Sequence, residues 1–279
     1  MDFKELLTDP FRTEIARQSF EAYLEEEGVN PSWLVHMSKS PKHFVSAAER
    51  ASVNTPHTLV GSATHALIFE PRTFGDMYAV YEGVRNKRHK AYAAFLEETG
   101  NKTVLTPAEM HAAESVANAV LSDPIAGPLI DATDHELSVF APLVGVQCKG
   151  RVDACGGGYL MDVKTTSDVS MGPFGRIFAN FSYAMKLAIY RELLRENGED
   201  VQHVVLITVE TSDPYDVACV EVPEVVVDTG WTKALRLLAK FKECEQSGRW
   251  PGVANNQWYE LALPNWSMPE DEVLEVFEG

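Results

Sequence analysis

A single α/β domain is the fold class this sequence predicts, and three observations carry it. Stretches with helical apolar spacing fill the first part of the chain, three adjacent strand-like runs occupy about 135–166, and a helix, two strands and a last helix complete the order. No internal repeat or low-complexity linker marks a boundary. The expectation is one domain over 1–279, with a helical N-terminal part at about 1–125 and a sheet core at about 130–266.

Taken in order, residues 3 to about 26 place Phe3, Leu6, Leu7, Ile15, Phe20 and Leu24 among many acids, which predicts helix interrupted near Pro10. Ser40 suits an N-cap and Pro41 a first helical position, opening a helix to about Arg50. That helix N-terminus, with Lys39 beside Ser40, is a candidate phosphate contact; the alternative is a plain cap on a packing helix. Gly61 to Glu70 reads as a helix of small residues closing at Pro71, with His65 as its only imidazole. Thr106-Pro107-Ala-Glu109 is a capping box that starts a helix ending near Asp123-Pro124. His135 to Phe140 alternates like a strand, and Glu136 on it can face the hairpin that follows. Phe178 to Arg195 has helical spacing and stops before Asn197-Gly198, with Lys186 and Tyr190 four apart on one face. Strands at Val201–Val209 and Val217–Val222 and a helix from Trp231 to about Cys244 finish the core.

Composition narrows the function classes. No apolar run approaches the roughly 20 residues that span a bilayer. The start Met-Asp-Phe-Lys-Glu lacks a signal-peptide core, so a cytoplasmic protein with no membrane contact is expected. Cys148, Cys155, Cys219 and Cys244 form no C-x-x-C pair, which favours reduced, mostly buried thiols over a zinc knuckle or a disulfide framework. A net charge of −17 excludes indiscriminate coating of nucleic acid, so any such contact must be local. The one dense basic run, Arg85-Asn-Lys87-Arg88-His89-Lys90, is where that contact is expected.

The chemistry concentrates in Lys149-Gly-Arg151-Val-Asp153-Ala-Cys-Gly-Gly-Gly-Tyr-Leu-Met-Asp162-Val163-Lys164-Thr-Thr166, two strands joined by a glycine turn. Alternation puts Arg151 and Asp153 on one face and Val152 and Ala154 on the other, while Leu160, Asp162 and Lys164 alternate with Met161 and Val163. Pairing across the turn brings Asp153 near Asp162 and Lys164. Two carboxylates at such range repel unless a divalent cation lies between them, and oxygen ligands suit Mg²⁺. The alternative is an exposed hairpin with solvated charges.

Several segments together resemble the RecE-type exonucleases (exonuclease VIII) of the PD-(D/E)xK nuclease superfamily. They are Ser40-Pro41-Lys-His43-Phe44, Gly61-Ser-Ala-Thr-His65-Ala-Leu with Glu70-Pro71, the run Arg85 to Lys90 followed by Ala-Tyr-Ala-Ala-Phe, Arg151-Val-Asp153, Asp162-Val-Lys164-Thr-Thr, Tyr183 to Tyr190, Trp250-Pro251 and Leu263-Pro264-Asn-Trp266. The resemblance implies a PD-(D/E)xK (restriction-endonuclease-like) core, a mixed central sheet flanked by helices, and a catalytic set of His65, Asp153, Asp162 and Lys164. His65, Asp153, Asp162 and the carbonyl of Val163 would hold Mg²⁺, with Mn²⁺ as a substitute. Two departures stand out: Val152 replaces a proline, and Lys186 stands where the family has Gln, with Tyr190 intact.

The activity implied is a processive 5′-to-3′ double-strand DNA exonuclease that leaves 3′ single-stranded tails for recombination by strand annealing. Double-stranded DNA ends would be bound by Arg85, Lys87, Arg88, Lys90, Lys186, Tyr190, Lys39 and Ser40. Its partners would be a single-strand annealing protein and further copies of itself in a toroidal homo-oligomer, in the cytoplasm or, for a phage-encoded chain, the host cytoplasm. The alternatives are a Cas4-like or helicase-associated nuclease of the same superfamily and a non-catalytic DNA-end-binding module.

Overall fold

The computed structural model describes residues 3–8, 10–50, 56–255, 257, 258, 260–262, 264 and 267. A 3-10 turn (Lys4–Leu7) is followed by β1 (Glu14–Ala16), α1 (Phe20–Glu25), α2 (Pro31–Met37), α3 (Pro41–Ala48), α4 (Pro56–Phe69) and α5 (Phe74–Met77). Then come β2 (Tyr78–Val80), α6 (Lys90–Thr99), β3 (Thr103–Leu105), α7 (Pro107–Ser122) and α8 (Ala126–Asp131). The second half runs β4 (Asp134–Leu143), β5 (Val146–Gly156), β6 (Tyr159–Thr166), α9 (Met171–Asn180), α10 (Tyr183–Glu196), β7 (His203–Glu210), β8 (Val217–Glu221) and α11 (Glu224–Ser247). Leu263, Asn265, Trp266 and the acidic segment from Pro269 lie outside the described residues.

The main sheet has the order β1-β4-β5-β6-β7-β8, and β2 and β3 form a small parallel pair of their own. All neighbours in the main sheet are antiparallel except β6 and β7, which are parallel and therefore need a crossover; α9 and α10 supply it. Both faces are covered. Val139, Cys148, Leu160 and Leu206 pack against Leu34, Phe44, Met185, Leu193, Leu238 and Phe241 from α2, α3, α10 and α11. Met161, Val163, Val205 and Ile207 pack against Ile68, Phe69, Val116, Val120 and Ile130 from α4, α7 and α8. This two-sided burial is why β7 reads as a nearly unbroken apolar run rather than an alternating one. The architecture is the mixed sheet flanked by helices that the sequence predicts.

Local signals act as their chemistry requires. The Thr106 side chain accepts from the Glu109 amide while Glu109 reaches back to the Thr106 amide, closing both halves of the capping box. At α3 the Ser40 side chain accepts from the His43 amide, and the Lys42 amide donates to the Pro251 carbonyl at 3.1 Å. Phe44, one turn on, stacks on Trp250 at 5.7 Å and meets Phe3 at 5.5 Å, so α3 ties both ends of the fold to α11.

Three expectations are corrected. The N-terminal stretch is not all helix, because Glu14–Ala16 joins the sheet edge by pairing with Ser138–Phe140. Three residues are too few to show a two-residue period. The helix expected over Phe178–Arg195 is two helices, broken at Ser182 with φ 55° and held there by the Lys233 ammonium, which donates to the Ser182 hydroxyl at 2.9 Å. Apolar spacing runs on through that break, so periodicity cannot reveal it. Finally, the last helix begins at Glu224, well before Trp231.

Candidate active site

The hairpin forms as the glycines dictate. Gly157 and Gly158 have φ of 59° and 88°, and the strands pair as Gly156↔Tyr159, Cys155↔Leu160 and Ala154↔Met161. The next step of that register would oppose Asp153 and Asp162, but the ladder stops there. Asp153 Oδ2 instead accepts the Val163 amide at 2.9 Å, so a carboxylate takes the place of a backbone partner. The strands part at this point, and the alternation changes with them. Val152 packs in the layer of α2, α3, α10 and α11, whereas Ala154 packs in the opposite layer, although alternation predicts one face for both.

On the other side of Asp153 stands Glu136 of β4, between the pairs His135↔Ala154 and Leu137↔Val152. Its φ of 51° costs a residue with a Cβ about 1–3 kcal/mol. Arg151 holds it, with Nε donating to Glu136 Oε2 at 2.5 Å, and the same guanidinium reaches the Gln18 carbonyl at 2.9 Å and Glu70 at 3.4 Å. Glu136, Asp153 and Asp162 thus form one row across three strands.

α4 delivers His65 to this row. Small residues let the helix approach β6: Ala63 is fully buried, and a Cβ on Gly61 would meet Thr165 Oγ1 at 3.4 Å. His65 Nε2 lies 2.8 Å from the Val163 carbonyl, which can only accept, so Nε2 carries the proton and Nδ1 presents its lone pair to the cavity. Nδ1 lies 3.5 Å from Asp153 Oδ2. Donor atoms of His65, Glu136 and Asp153 all fall within 4.8 Å of one another, the one such group of three or more found among the described residues. Octahedral bonds of about 2.1 Å place neighbouring donors about 3 Å apart and opposite ones about 4.2 Å, so this set fits a Mg²⁺-sized ion with modest closure.

The remaining catalytic candidates sit beside it. Lys164 makes a close ion pair with Asp162 and lies 3.9 Å from Asp153 Oδ2 and 3.0 Å from the Val163 carbonyl. That carbonyl, expected as a metal ligand, therefore accepts from two donors, His65 and Lys164. Burial raises the Asp162 carboxyl above its ordinary range, opposed by Lys164; the ammonium of Lys164 is held up by Asp162 and Asp153 despite its own burial. Burial, together with the Asp153 charge, pushes Glu136 up to about 7. Glu136 is the functional candidate that motif reading leaves out of its ligand set. Its signal is register alone: it lies directly across the strand from Asp153.

α10 closes the opposite wall. Tyr183 has two cations near its ring, Lys164 Nζ at 5.8 Å and Lys186 Nζ at 5.3 Å from its centre. Burial and then Lys164 lower the Lys186 pKa. Tyr190 packs so closely on β5 that a Cβ at Gly150 would sit 2.8 Å from its ring, which explains the glycine there. A cavity of about 1050 Å³ opens over this floor and includes Tyr190 but not Lys186.

The expected DNA contacts do not all reach it. Arg85 is committed to the fold, donating to Glu109 at 2.6 Å and to the Val104 carbonyl at 2.9 Å. Lys87, Arg88 and Lys90 are exposed, yet none of them lines the cavity. Ser40 is buried in its cap, and neither it nor exposed Lys39 borders the cavity. Lys149, next to the site in sequence, is 1% exposed; it donates to the Tyr23 carbonyl at 3.0 Å and also caps Leu24 and Glu26, so it closes the end of α1. Cys148, Cys155 and Cys244 are buried, and no cysteine enters a metal-binding group among the described residues. No helix among these residues is long and apolar enough to cross a membrane.

Comparison with known proteins agrees with this geometry. Residues 31–260 match the model of a family described as a PDDEXK-like domain of unknown function (DUF3799). A crystal structure from Eubacterium rectale named "Putative exonuclease" superposes with a TM-score of 0.62 at 12% identity, covering 89% of this chain and 97% of the other. At that identity the likeness concerns the fold. No curated protein matches the sequence.

Proposed function

From the premise that this chain belongs to the PDDEXK-like DUF3799 family, we propose that it is a divalent-metal-dependent deoxyribonuclease, a processive 5′-to-3′ exonuclease on double-stranded DNA ends. The observation that carries the reading is the convergence of His65, Glu136 and Asp153 donors within 4.8 Å beside the Asp162–Lys164 pair, on the floor of an open cavity.

His65 through Nδ1, with Glu136 and Asp153, would hold Mg²⁺, or Mn²⁺ in its place. Such an ion supplies Lewis acidity toward water and the phosphodiester. Asp153 is fixed by the Val163 amide, and His65 by the Val163 carbonyl, so two ligands are aimed by one residue of β6. Arg151 fixes the third, Glu136, and Glu70 and the Gln18 carbonyl fix Arg151. Lys164 stays protonated under the influence of Asp162 and Asp153, so it acts as a donor and a positive charge toward the attacking water and the phosphate, and not as a base. Asp162 orients Lys164.

The polarity, the strand-annealing partner, the toroidal homo-oligomer and the role in recombination in the cytoplasm extend this reading on the family resemblance. The test is digestion of linear duplex labelled at its 5′ or 3′ end, with Mg²⁺ and with chelator. Mg²⁺-dependent early release of the 5′ label is expected; binding to ends with no nucleotide release would make the chain an end-binding module.

A further inference from the structure

The cavity has an aromatic entrance that no catalytic role uses. Phe181, the residue just after α9, lines it and is 56% exposed, an unusual degree of exposure for a large apolar ring. The left-handed Ser182 turns the chain so that Phe181 and Tyr183 lie near parallel, 20° apart with centres at 5.9 Å. Tyr183 in turn carries Lys164 Nζ at 5.8 Å and Lys186 Nζ at 5.3 Å. The catalytic lysine is thus two ring-sized steps from an exposed aromatic ring, a span of roughly three to four stacked nucleotides at about 3.4 Å each. One face of Phe181 is used by Tyr183. The side chain is still more than half exposed and lines the cavity.

We propose that Phe181, backed by Tyr183, is a nucleobase-stacking platform that holds an unpaired base of the strand being cleaved a few nucleotides from the scissile phosphate. This rests on the nuclease reading and names the form of substrate that the site takes, a strand locally unpaired at the point of cleavage. A stacked base exposes one flat π-face and is read without sequence preference. Stacking also suits a chain of net charge −17, because it grips a nucleic acid without relying on surplus positive charge. Lys164, near Tyr183 and in the cavity lining, adds positive charge toward the phosphate backbone of that strand.

The test uses the full-length protein with Ca²⁺ and a duplex bearing 2-aminopurine in its terminal nucleotides, with either blunt or frayed ends. Stacking on wild-type protein should quench the 2-aminopurine, most on the frayed end. Phe181→Leu should abolish the quench and weaken end binding about thirtyfold, the middle of the range for one base–aromatic stack, while Phe181→Tyr restores both. A Phe181→Leu variant that quenches and binds like wild type overturns the platform while leaving the nuclease reading intact. Wild-type protein that cleaves and binds without any quench does the same. Wild-type protein that neither binds nor cleaves DNA overturns both.

Discussion

Replacing Lys164 by Met keeps a side chain of similar length under the Tyr183 ring and removes one charge. Asp162, whose side chain is only 9% exposed, then loses the ammonium that compensates it. Breaking a buried pair from one side costs about 3–5 kcal/mol. The lysine side chain is 24% exposed, so solvent screens part of the interaction and the lower figure, about 3 kcal/mol, is expected. At about 2–4 °C per kcal/mol this is a fall of roughly 6–12 °C in the unfolding midpoint. The pH dependence has a definite sign. Burial puts the folded-state pKa of Asp162 above its unfolded value, so the folded protein binds the extra proton, and the cost of the buried carboxylate is relieved as pH falls through the folded pKa toward about 3.9. Loss of Lys164, which lowers that pKa, moves the relief to higher pH. Denaturation of Lys164→Met in urea should therefore show a deficit that shrinks on acidification, and Asp162→Asn in the same chain should restore most of the stability without restoring cleavage. Wild-type stability in Lys164→Met, or a double variant no better than the single one, would refute the argument.

Two further outcomes follow from the same geometry. Metal binding requires a deprotonated ligand, so divalent-ion affinity measured by calorimetry should rise as pH passes through about 7, where Glu136 titrates; Glu136→Gln should flatten that rise and weaken binding about tenfold. Replacing exposed Lys87 and Arg88 by Ala should flatten the slope of log affinity for linear duplex against log salt by up to about 2 if they grip phosphates. Arg85→Ala should instead lower stability by about 1 kcal/mol through the Glu109 capping box, since its guanidinium is spent there; an unchanged midpoint in a thermal melt would contradict this.

Much of this fold is legible because its signals are local. The Thr106 capping box, the Ser40 cap and the triple-glycine turn each require only a few neighbouring residues, and each appears where the sequence puts it. The row of candidates on β5 and β6 follows from register across that turn. What stays hidden depends on partners distant in sequence. Glu136 becomes a ligand candidate only because β4 pairs with β5 in one register and Arg151 holds it at positive φ. Asp153 stands where the ladder ends, and a two-residue period cannot show that Val152 and Ala154 enter opposite layers. Lys149 and Arg85 look like free cations in the sequence, and folding consumes both as caps.

That consumption changes how the net charge bears on function. Along the chain, Lys149, Arg151, Lys164 and Lys186 look like a positive lane beside the acids. Folded, Lys149 neutralises carbonyls at the end of α1, Arg151 is shared by Glu136 and Glu70, and Lys164 is shared by Asp162 and Asp153. Five carboxylates, of Glu21, Glu70, Asp76, Glu136 and Asp153, line the cavity against three basic side chains, of Lys102, Arg151 and Lys164. Two of those three are already paired within the site, and the third donates to the Gly75 carbonyl. A phosphodiester approaching this floor meets net negative charge in a partly desolvated cleft, where repulsion is weakly screened. The donor set that would bind a divalent ion is the same set that repels the substrate. An ion bound by His65, Glu136 and Asp153 would therefore offset that net negative charge as well as supply chemistry, and the site's acidity becomes compatible with an anionic substrate through that ion.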